Sequence, residues 1–233
     1  MTPLAAVLDA WPGSAIIGPL KGGARSQLFL LDHAGGKRVA RWGTESEASR
    51  RWLERVQALA RRAGFDCPGS IATTSGSLGR GGWSVEPFLE GAKATRDDMA
   101  RLRPLLERFH RAGRAIPDRP HHPPPATAPS VPGVPRQVAA RCRAHLPKGQ
   151  RSAIHGDLHP GNVLIRATGQ PALLDWEEAR RDSPLFDLAA LRPDMPPLQL
   201  AYEVLACWEH EPDRARSLFR KVPAGKPVVN LNK

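Results

Sequence analysis

The feature that most constrains the fold is a pair of short apolar runs with polar residues at both ends. The runs are Val163-Leu-Ile165 and Ala172-Leu-Leu174, and a turn containing Gly169 separates them. This pattern predicts an antiparallel hairpin of two short strands. The residue before the first strand and the residue after the second lie at the same open end of such a hairpin, with paired Cα atoms about 5 Å apart. Those two residues are Asn162 and Asp175.

Two oxygen ligands at one end of a hairpin suit Mg²⁺, which usually takes one or two carboxylates and completes its shell with water and substrate phosphates. We therefore predict that Asn162 and Asp175 bind magnesium. Asp157 lies five residues before Asn162, on a loop that contains Gly156 and Pro160. This spacing predicts that its carboxylate lies beside the metal, where it can receive a proton or orient a nucleophile. The order Asp, Asn, Asp at these intervals matches the kinase pattern.

The motifs H-G-D-L-H-P-G-N-V-L-I at 155–165 and L-L-D-W-E at 173–177 resemble those of the aminoglycoside phosphotransferase superfamily, which includes choline and thiamine kinases. The resemblance implies an α+β, bilobal protein-kinase-like fold with a small antiparallel-sheet N-terminal lobe and a mainly helical C-terminal lobe. It makes Asp157 the catalytic base, and Asn162 and Asp175 the metal ligands. Asp187, in Asp-Leu-Ala at 187–189, is then a structural residue at the start of a helix.

The resemblance extends more weakly into the N-terminal half. The segment 20–26 lies where the family has a turn that covers the nucleotide phosphates, and the segment 85–91 resembles the hinge that holds the adenine. Leu-Glu-Arg-Phe-His at 106–110 is similar to the end of the first helix after the hinge. The ATP contacts implied by the first two segments are Gly22, Gly23, Ser26, Glu86 and Phe88.

The phosphate-binding position departs from the family pattern. The strand that should offer a lysine ends in Arg41, which would bind the α- and β-phosphates instead. Arginine supplies the charge, but its planar fork is not equivalent to an ammonium group. The acidic partner of Arg41 on the following helix is predicted to be Glu54, and Glu47 is the alternative because the sequence does not determine the rotation of that helix.

The chain is expected to form an N-terminal nucleotide-binding lobe, residues 1–91, and a C-terminal catalytic lobe, residues 92–233. Thr44 is a candidate N-cap for the first long helix, with Glu47 at capping-box spacing. Pro104 requires a kink in the second helix. Strands are predicted at 16–17, 27–31, 37–41, 71–74 and 83–88, and helices at 45–63, 96–112, 136–145 and 198–210.

The net charge of +11 is concentrated in one stretch, because residues 93–151 alone carry +9. That stretch includes a proline-rich loop, residues 117–135, in which 8 of 19 residues are proline. Such a balance by itself suggests nucleic acid, an anionic membrane or a phosphorylated ligand as the partner. The stretch contains few aromatic side chains for base stacking and does not overlap the acidic motifs. A nucleic-acid partner is therefore not expected.

The cysteines and the hydropathy indicate the compartment. Cys67, Cys142 and Cys207 are odd in number and form no C-x-x-C pair, which argues against a disulfide framework or a cysteine zinc site. No segment approaches the roughly 20 apolar residues that a transmembrane helix needs. We expect a cytoplasmic protein without membrane association.

The leading hypothesis is a small-molecule kinase that uses ATP and Mg²⁺ to phosphorylate a hydroxyl of a thiamine, choline, sugar or aminoglycoside type of alcohol. One alternative is a nucleotide-binding, pseudokinase-like regulator, which Arg41 and the short C-terminal lobe suggest. The other is a Mg²⁺-dependent nucleic-acid-binding protein, suggested by the basic stretch and the pair Asp175 and Glu177. The sequence leaves open the acceptor and the oligomeric state.

Overall fold

The computed structural model of the chain describes residues 4–20, 27–33, 35–122, 132–192, 194 and 196–224. The chain forms two compact units. The first unit comprises Met1–Ala94 and Pro160–Trp176, and the second comprises Thr95–His159 and Glu177–Lys233. The predicted division at residues 91 and 92 lies close to the first crossing, whereas the hairpin region belongs to the N-terminal unit.

Both units contain short strands and helices. The strands are β1 (Ser14–Pro19), β2 (Leu28–His33), β3 (Arg38–Trp42), β4 (Trp83–Pro87), β5 (Ala92–Lys93), β6 (Ser152–Ile154), β7 (Val163–Ile165), β8 (Pro171–Leu173) and β9 (Arg180–Asp182). The helices are α1 (Ala5–Ala10), α2 (Glu47–Ala63), α3 (Arg96–Arg101), α4 (Arg103–Ala112), α5 (Arg136–His145), α6 (Leu185–Ala189), α7 (Pro197–Cys207) and α8 (Pro212–Phe219). Single 3₁₀ turns occupy Gly113–Ala115 and Pro160–Asn162.

The first unit contains a four-stranded antiparallel sheet in the order β1, β2, β3, β4. The three strands predicted before residue 42 and the strand that begins at Trp83 are confirmed. The strand predicted over 71–74 is wrong, because only Ile71 forms a bridge, to Val85. The buried side chains of this core are Val7, Ala10, Trp11, Leu31, Ala40, Trp83 and Val85. A second, three-stranded sheet contains β5, β7 and β8.

Helix α2 begins later than the capping-box spacing predicts. Ser46 is the N-cap, in an extended conformation, and its hydroxyl accepts a hydrogen bond from the Ser49 N–H at 3.2 Å. Thr44 therefore lies outside the helix. Glu47 is the first helical residue rather than the third, so it does not complete a capping box. The helix ends at Gly64, whose φ of 110° suits glycine at this position.

The helix predicted over 96–112 is two helices, because Leu102 separates α3 from α4. Pro104 falls in the first turn of α4, where the missing N–H breaks no helical hydrogen bond. Thr95 and Asp98 form a capping box at the start of α3. The predicted kink is thus a complete break, and the proline opens a new helix.

The second unit is mainly helical, with β6 and β9 as its only sheet among the described residues. Helices α5, α6 and α7 contribute most of its core, and α8 packs against α7. The buried side chains of this core are Val138, Ala139, Cys142, Leu146, Ile154, Phe186, Ala189, Leu198, Leu200, Ala201, Val204, Leu205 and Val222. Within the described ranges, no helix combines the length and apolar character that a membrane crossing needs.

All three cysteines are buried free thiols. Burial raises the pKa of Cys67 to about 12 and that of Cys142 to about 11, and it also raises the pKa of Cys207. Because the thiolate is the reactive form, we expect all three to resist iodoacetamide at pH 7 until urea unfolds the protein. Mass spectrometry of native and unfolded samples measures this. Rapid labelling of the native protein would contradict the burial of the labelled thiol.

Candidate active site

The hairpin brings Asn162 and Asp175 to one end, but not directly opposite each other. The turn closes between Arg166 and Gln170, with Arg166 N–H donating to Gln170 O at 2.9 Å. In this register Leu174 is the partner of Asn162, and its N–H donates to Asn162 O at 2.9 Å. Asp175 follows one residue later. The predicted pairing of Asn162 with Asp175 is therefore wrong by one residue, because the turn is tighter than the apolar runs indicate.

Asp175 has a left-handed backbone conformation, with φ of 57°. This conformation is uncommon for a residue other than glycine and costs of order 1–3 kcal/mol, and such residues cluster at functional sites. The following Trp176 is buried and donates its indole N–H to Leu173 O at 3.0 Å. The strained residue is thus fixed from both sides, by the hairpin before it and by a buried tryptophan after it.

Three of the predicted site residues lie together in the first unit. Arg41, on β3, directs Nη1 to Asp175 Oδ1 at 3.4 Å and places Nη2 3.8 Å from Glu86 Oε1. The side chains of Arg41, Glu86 and Asp175 are 20%, 24% and 31% exposed, so all three are accessible to a ligand. The structure therefore contains an arginine held between two acids.

The helix glutamates do not hold Arg41. Glu54 accepts a hydrogen bond from the Ser70 N–H and lies 4.0 Å from Arg61, so the predicted pairing of Arg41 with Glu54 is wrong. Glu47, the alternative, accepts from the Leu78 N–H at 3.1 Å. Both carboxylates satisfy backbone N–H groups in the segment between α2 and β4. That segment has few strand partners of its own, which is why it uses these two side chains.

The pair Asn162 and Asp175 offers hard oxygen ligands. Asn162 is buried at 9% exposure, and the Asp175 carboxylate is partly exposed next to a cation. Among the described residues, no cluster of three or more His, Cys, Asp and Glu side chains could hold a metal ion. A pair of oxygen ligands fits Mg²⁺, whose remaining positions go to water and phosphate oxygens, but not a closed structural site.

The loop that carries Asp157 belongs to the second unit and is anchored on Asp187. The buried Asp187 carboxylate accepts hydrogen bonds from the N–H groups of His155 and Gly156 at 2.9 Å, and from His110 Nε2 at 2.8 Å. Burial alone would raise the pKa of Asp187, but the hydrogen bond and charge of His110 hold it below its ordinary value. Asp187 therefore has the structural role expected from its motif, and His110 is one of its hydrogen-bond partners.

Gly156 is required by close packing. Its φ is +86°, and an added Cβ would lie against Glu178 O and 2.9 Å from Arg180 Nη1. The next residue, Asp157, keeps a side chain that is 46% exposed, with His159 Nε2 at 3.8 Å from its carboxylate. The loop thus has a rigid backbone at Gly156 and an accessible carboxylate at Asp157.

A polar network that the motifs do not indicate lies near Asp157. Tyr202 donates its hydroxyl to Glu178 Oε2 at 3.0 Å, and the buried Arg180 donates to Tyr202 Oη at 3.3 Å. Burial raises the pKa of Glu203, and the charges of Asp157 and Glu178 raise it further against the effect of Arg214. The available sequence signal is a glutamate in the mostly apolar helix α7.

The structure does not test several of the predicted contacts with ATP. Gly22, Gly23 and Ser26 lie outside the described residues. Phe88 is half-buried, and its N–H donates to Lys37 O at 3.0 Å, so its contact with adenine stays a prediction.

Comparisons with known proteins agree with the motifs. Residues 119–216, which include Asp157, Asn162 and Asp175, match the model of the phosphotransferase enzyme family. No curated protein sequence matches the chain.

The fold is shared with solved kinases at low identity. An aminoglycoside phosphotransferase from Alicyclobacillus acidocaldarius is similar at 18% identity over 95% of this chain and 78% of its own, with a TM-score of 0.57. The choline kinase LicA from Streptococcus pneumoniae is similar at 16% identity over 88% and 85%, with a TM-score of 0.55. The amicoumacin kinase hAmiN, in complex with AMP-PNP and Ca²⁺, is similar at 10% identity over 96% and 78%, with a TM-score of 0.58.

These matches confirm the fold class and the family resemblance that the motifs implied. The chain resembles the phosphotransferase enzyme family over residues 119–216, and it has the protein-kinase-like fold of the solved aminoglycoside phosphotransferase and choline kinase.

Proposed function

We propose that the protein is a small-molecule kinase that transfers the γ-phosphate of ATP to a hydroxyl group with the help of Mg²⁺. The observation that carries this proposal is the position of Asp175, which has a strained backbone and accepts a hydrogen bond from Arg41. Asp175 follows Leu174, the residue that pairs with Asn162 across the hairpin. The complex of the similar amicoumacin kinase with AMP-PNP and Ca²⁺ supports a nucleotide and a divalent metal as ligands.

Asn162 and Asp175 would hold the metal ion through their side-chain oxygens. When bound, Mg²⁺ neutralises the charge that develops on the β- and γ-phosphates. Arg41 lies 3.4 Å from Asp175 and would bind the phosphates beside that carboxylate. Glu86 holds the second nitrogen of Arg41. We further propose that Gly22, Gly23, Ser26 and Phe88 complete the contacts with ATP.

Asp157 would act on the acceptor. Its accessible carboxylate orients the acceptor hydroxyl and takes the proton as the hydroxyl oxygen attacks the γ-phosphorus. The bond between the γ-phosphorus and the β–γ bridging oxygen breaks, and ADP leaves. Because the residues form no covalent intermediate, positioning and electrostatic stabilisation supply the rate enhancement. The rigid backbone at Gly156 serves that requirement.

Asp175→Ala is expected to abolish Mg²⁺-dependent ATP binding, because the only charged metal ligand of the proposed pair is lost. Calorimetric titration with ATP, with Mg²⁺ and with EDTA, measures the effect. Asp32→Ala, at an exposed position of β2, is the matched control and should bind as the wild type does. Equal ATP affinity of Asp175→Ala and wild type in Mg²⁺ would contradict the metal role.

The proposed activity is tested by thermal-shift measurements with ATP and Mg²⁺, followed by phosphotransfer assays on a panel of alcohols. The panel contains thiamine, choline, simple sugars and aminoglycosides. Formation of ADP together with a phosphorylated alcohol supports the proposal. ATP binding without transfer to any member would favour the pseudokinase-like regulator, for which the arginine at position 41 is the specific argument.

A further inference from the structure

A buried arginine joins the proline-rich loop to the segment that follows the metal-binding motif. Arg119 is 4% exposed, although it lies in a loop. Its Nη1 donates to two backbone carbonyls, Glu177 O and Ala179 O, each at 2.7 Å. One guanidinium nitrogen carries two hydrogens, so a single NH₂ group makes both bonds. Bonds from a charged donor are short and about twice as strong as neutral ones.

The two carbonyls belong to a short segment, residues 177–179, that supports the catalytic loop. Glu178 O lies between them, accepts from Arg180 Nη1 at 3.1 Å, and packs against Gly156 so closely that no Cβ would fit. Arg119 thus fixes the carbonyls on both sides of the one that contacts Gly156. Any shift of this segment moves the surface on which the residue before Asp157 rests.

Residues 177–179 also interact with Glu203, whose pKa the charge of Asp157 raises. The Glu178 side chain accepts a hydrogen bond from the Tyr202 hydroxyl, and the charge of Glu178 is another that raises the pKa of Glu203. A rotation of residues 177–179 would therefore change both the packing of Gly156 and the position of the Glu178 carboxylate. Chain stiffness at Pro117 and Pro120, which flank Arg119, reduces the entropy lost when the arginine is held in place.

We propose that Arg119 is a positioning residue for Asp157, acting through the backbone of residues 177–179. The proposal rests on the phosphotransferase function proposed above, and it assigns a mechanistic role to a residue that the motifs leave unexplained. In this role Arg119 acts on the backbone carbonyls of residues 177 and 179 and not on the reacting atoms. Its effect should therefore appear in kcat and leave ATP binding unchanged.

The main test uses Arg119→Ala together with chemical rescue. We expect kcat to fall by about 10²-fold, as a misplacement of about 1 Å can produce, with the ATP affinity unchanged by calorimetry. Guanidinium chloride, far below denaturing concentrations, should restore a large part of kcat by filling the vacated site. Equal concentrations of NaCl and urea should not. Arg136→Ala, at an exposed position, is the matched control with wild-type activity.

A second measurement does not depend on activity. Hydrogen–deuterium exchange of Arg119→Lys should show faster exchange in peptides covering 177–180 and 155–158, with the rest of the chain unchanged. Wild-type kcat in Arg119→Ala, or unchanged exchange in Arg119→Lys, would overturn the proposal. If the wild type transfers phosphate to no alcohol, the proposed function fails, whereas the exchange result still decides whether Arg119 positions the loop.

Discussion

Replacing Asp157 with asparagine is expected to lower kcat by about 10²–10⁴-fold, the range typical for loss of a general base. Asparagine keeps the size of the side chain but cannot take the proton of the acceptor hydroxyl. The Asp157 side chain is 46% exposed, so the substitution leaves the folded state intact. The hydrogen bonds that Asp187 makes to the loop use backbone groups of other residues and are preserved.

The measurement compares steady-state phosphotransfer with ATP affinity from calorimetry, because a base should affect turnover and spare nucleotide binding. Asp213→Asn serves as the control, since the Asp213 side chain is 97% exposed and lies on α8. Near-wild-type turnover of Asp157→Asn would remove Asp157 from the mechanism. Equal losses in turnover and ATP binding would instead indicate a metal or phosphate contact.

Replacing Asp187 with alanine is expected to lower the free energy of unfolding by about 3–5 kcal/mol. This is the range for removing one partner of a buried charged pair. The carboxylate accepts from two backbone N–H groups and from His110, and all three donors would lose their partner in a dry environment. Urea unfolding, followed by circular dichroism, measures the difference. Asp213→Ala should unfold like the wild type, and a loss below about 1 kcal/mol for Asp187→Ala would contradict the anchoring role.

The pH dependence of the same variant follows from the direction of the shift. The pKa of Asp187 is lower in the folded state than in the unfolded chain. Its stabilisation is therefore fully present above the ordinary aspartate pKa and is lost as the pH falls through the lowered folded pKa. The wild type should lose stability in this acidic window, and Asp187→Ala should lose less there. Parallel curves for the two proteins would contradict the assignment.

The elements that could be predicted are those with local signals. Spacing and residue type located the hairpin and its two polar ends, and short apolar runs separated by glycines located the first three strands of the first sheet. The predicted register of the hairpin was wrong by one residue, because the hydrogen bond between Arg166 and Gln170 at the turn determines the register and the apolar pattern does not. A shift of this size is enough to place Leu174 where Asp175 was expected.

Side-chain partners across the chain were harder to predict. Glu54 and Glu47 were both plausible partners of Arg41 because the local sequence does not determine the rotation of α2. It also does not show that both glutamates accept hydrogen bonds from backbone N–H groups in the segment after α2. Arg119 lies in a sequence that reads as a solvated, proline-rich loop, and only the fold shows it buried against two carbonyls. A buried charged residue of this kind can be recognised only when the fold shows which backbone groups it binds.

The return of residues 160–176 to the first unit limits how this protein can be divided. Asp66 joins the N-terminal stretch to that segment by two backbone hydrogen bonds, accepting from Leu173 N–H at 2.9 Å and donating to Pro171 O at 2.8 Å. A gene fragment that ends at Ala94 lacks β7 and β8, and a fragment that begins at Thr95 carries them without β5. A single crossover between related genes after residue 94 would therefore take β5 from one parent and β7 and β8 of the same sheet from the other. Exchange of an intact unit requires breakpoints at all three boundaries, after residues 94, 159 and 176.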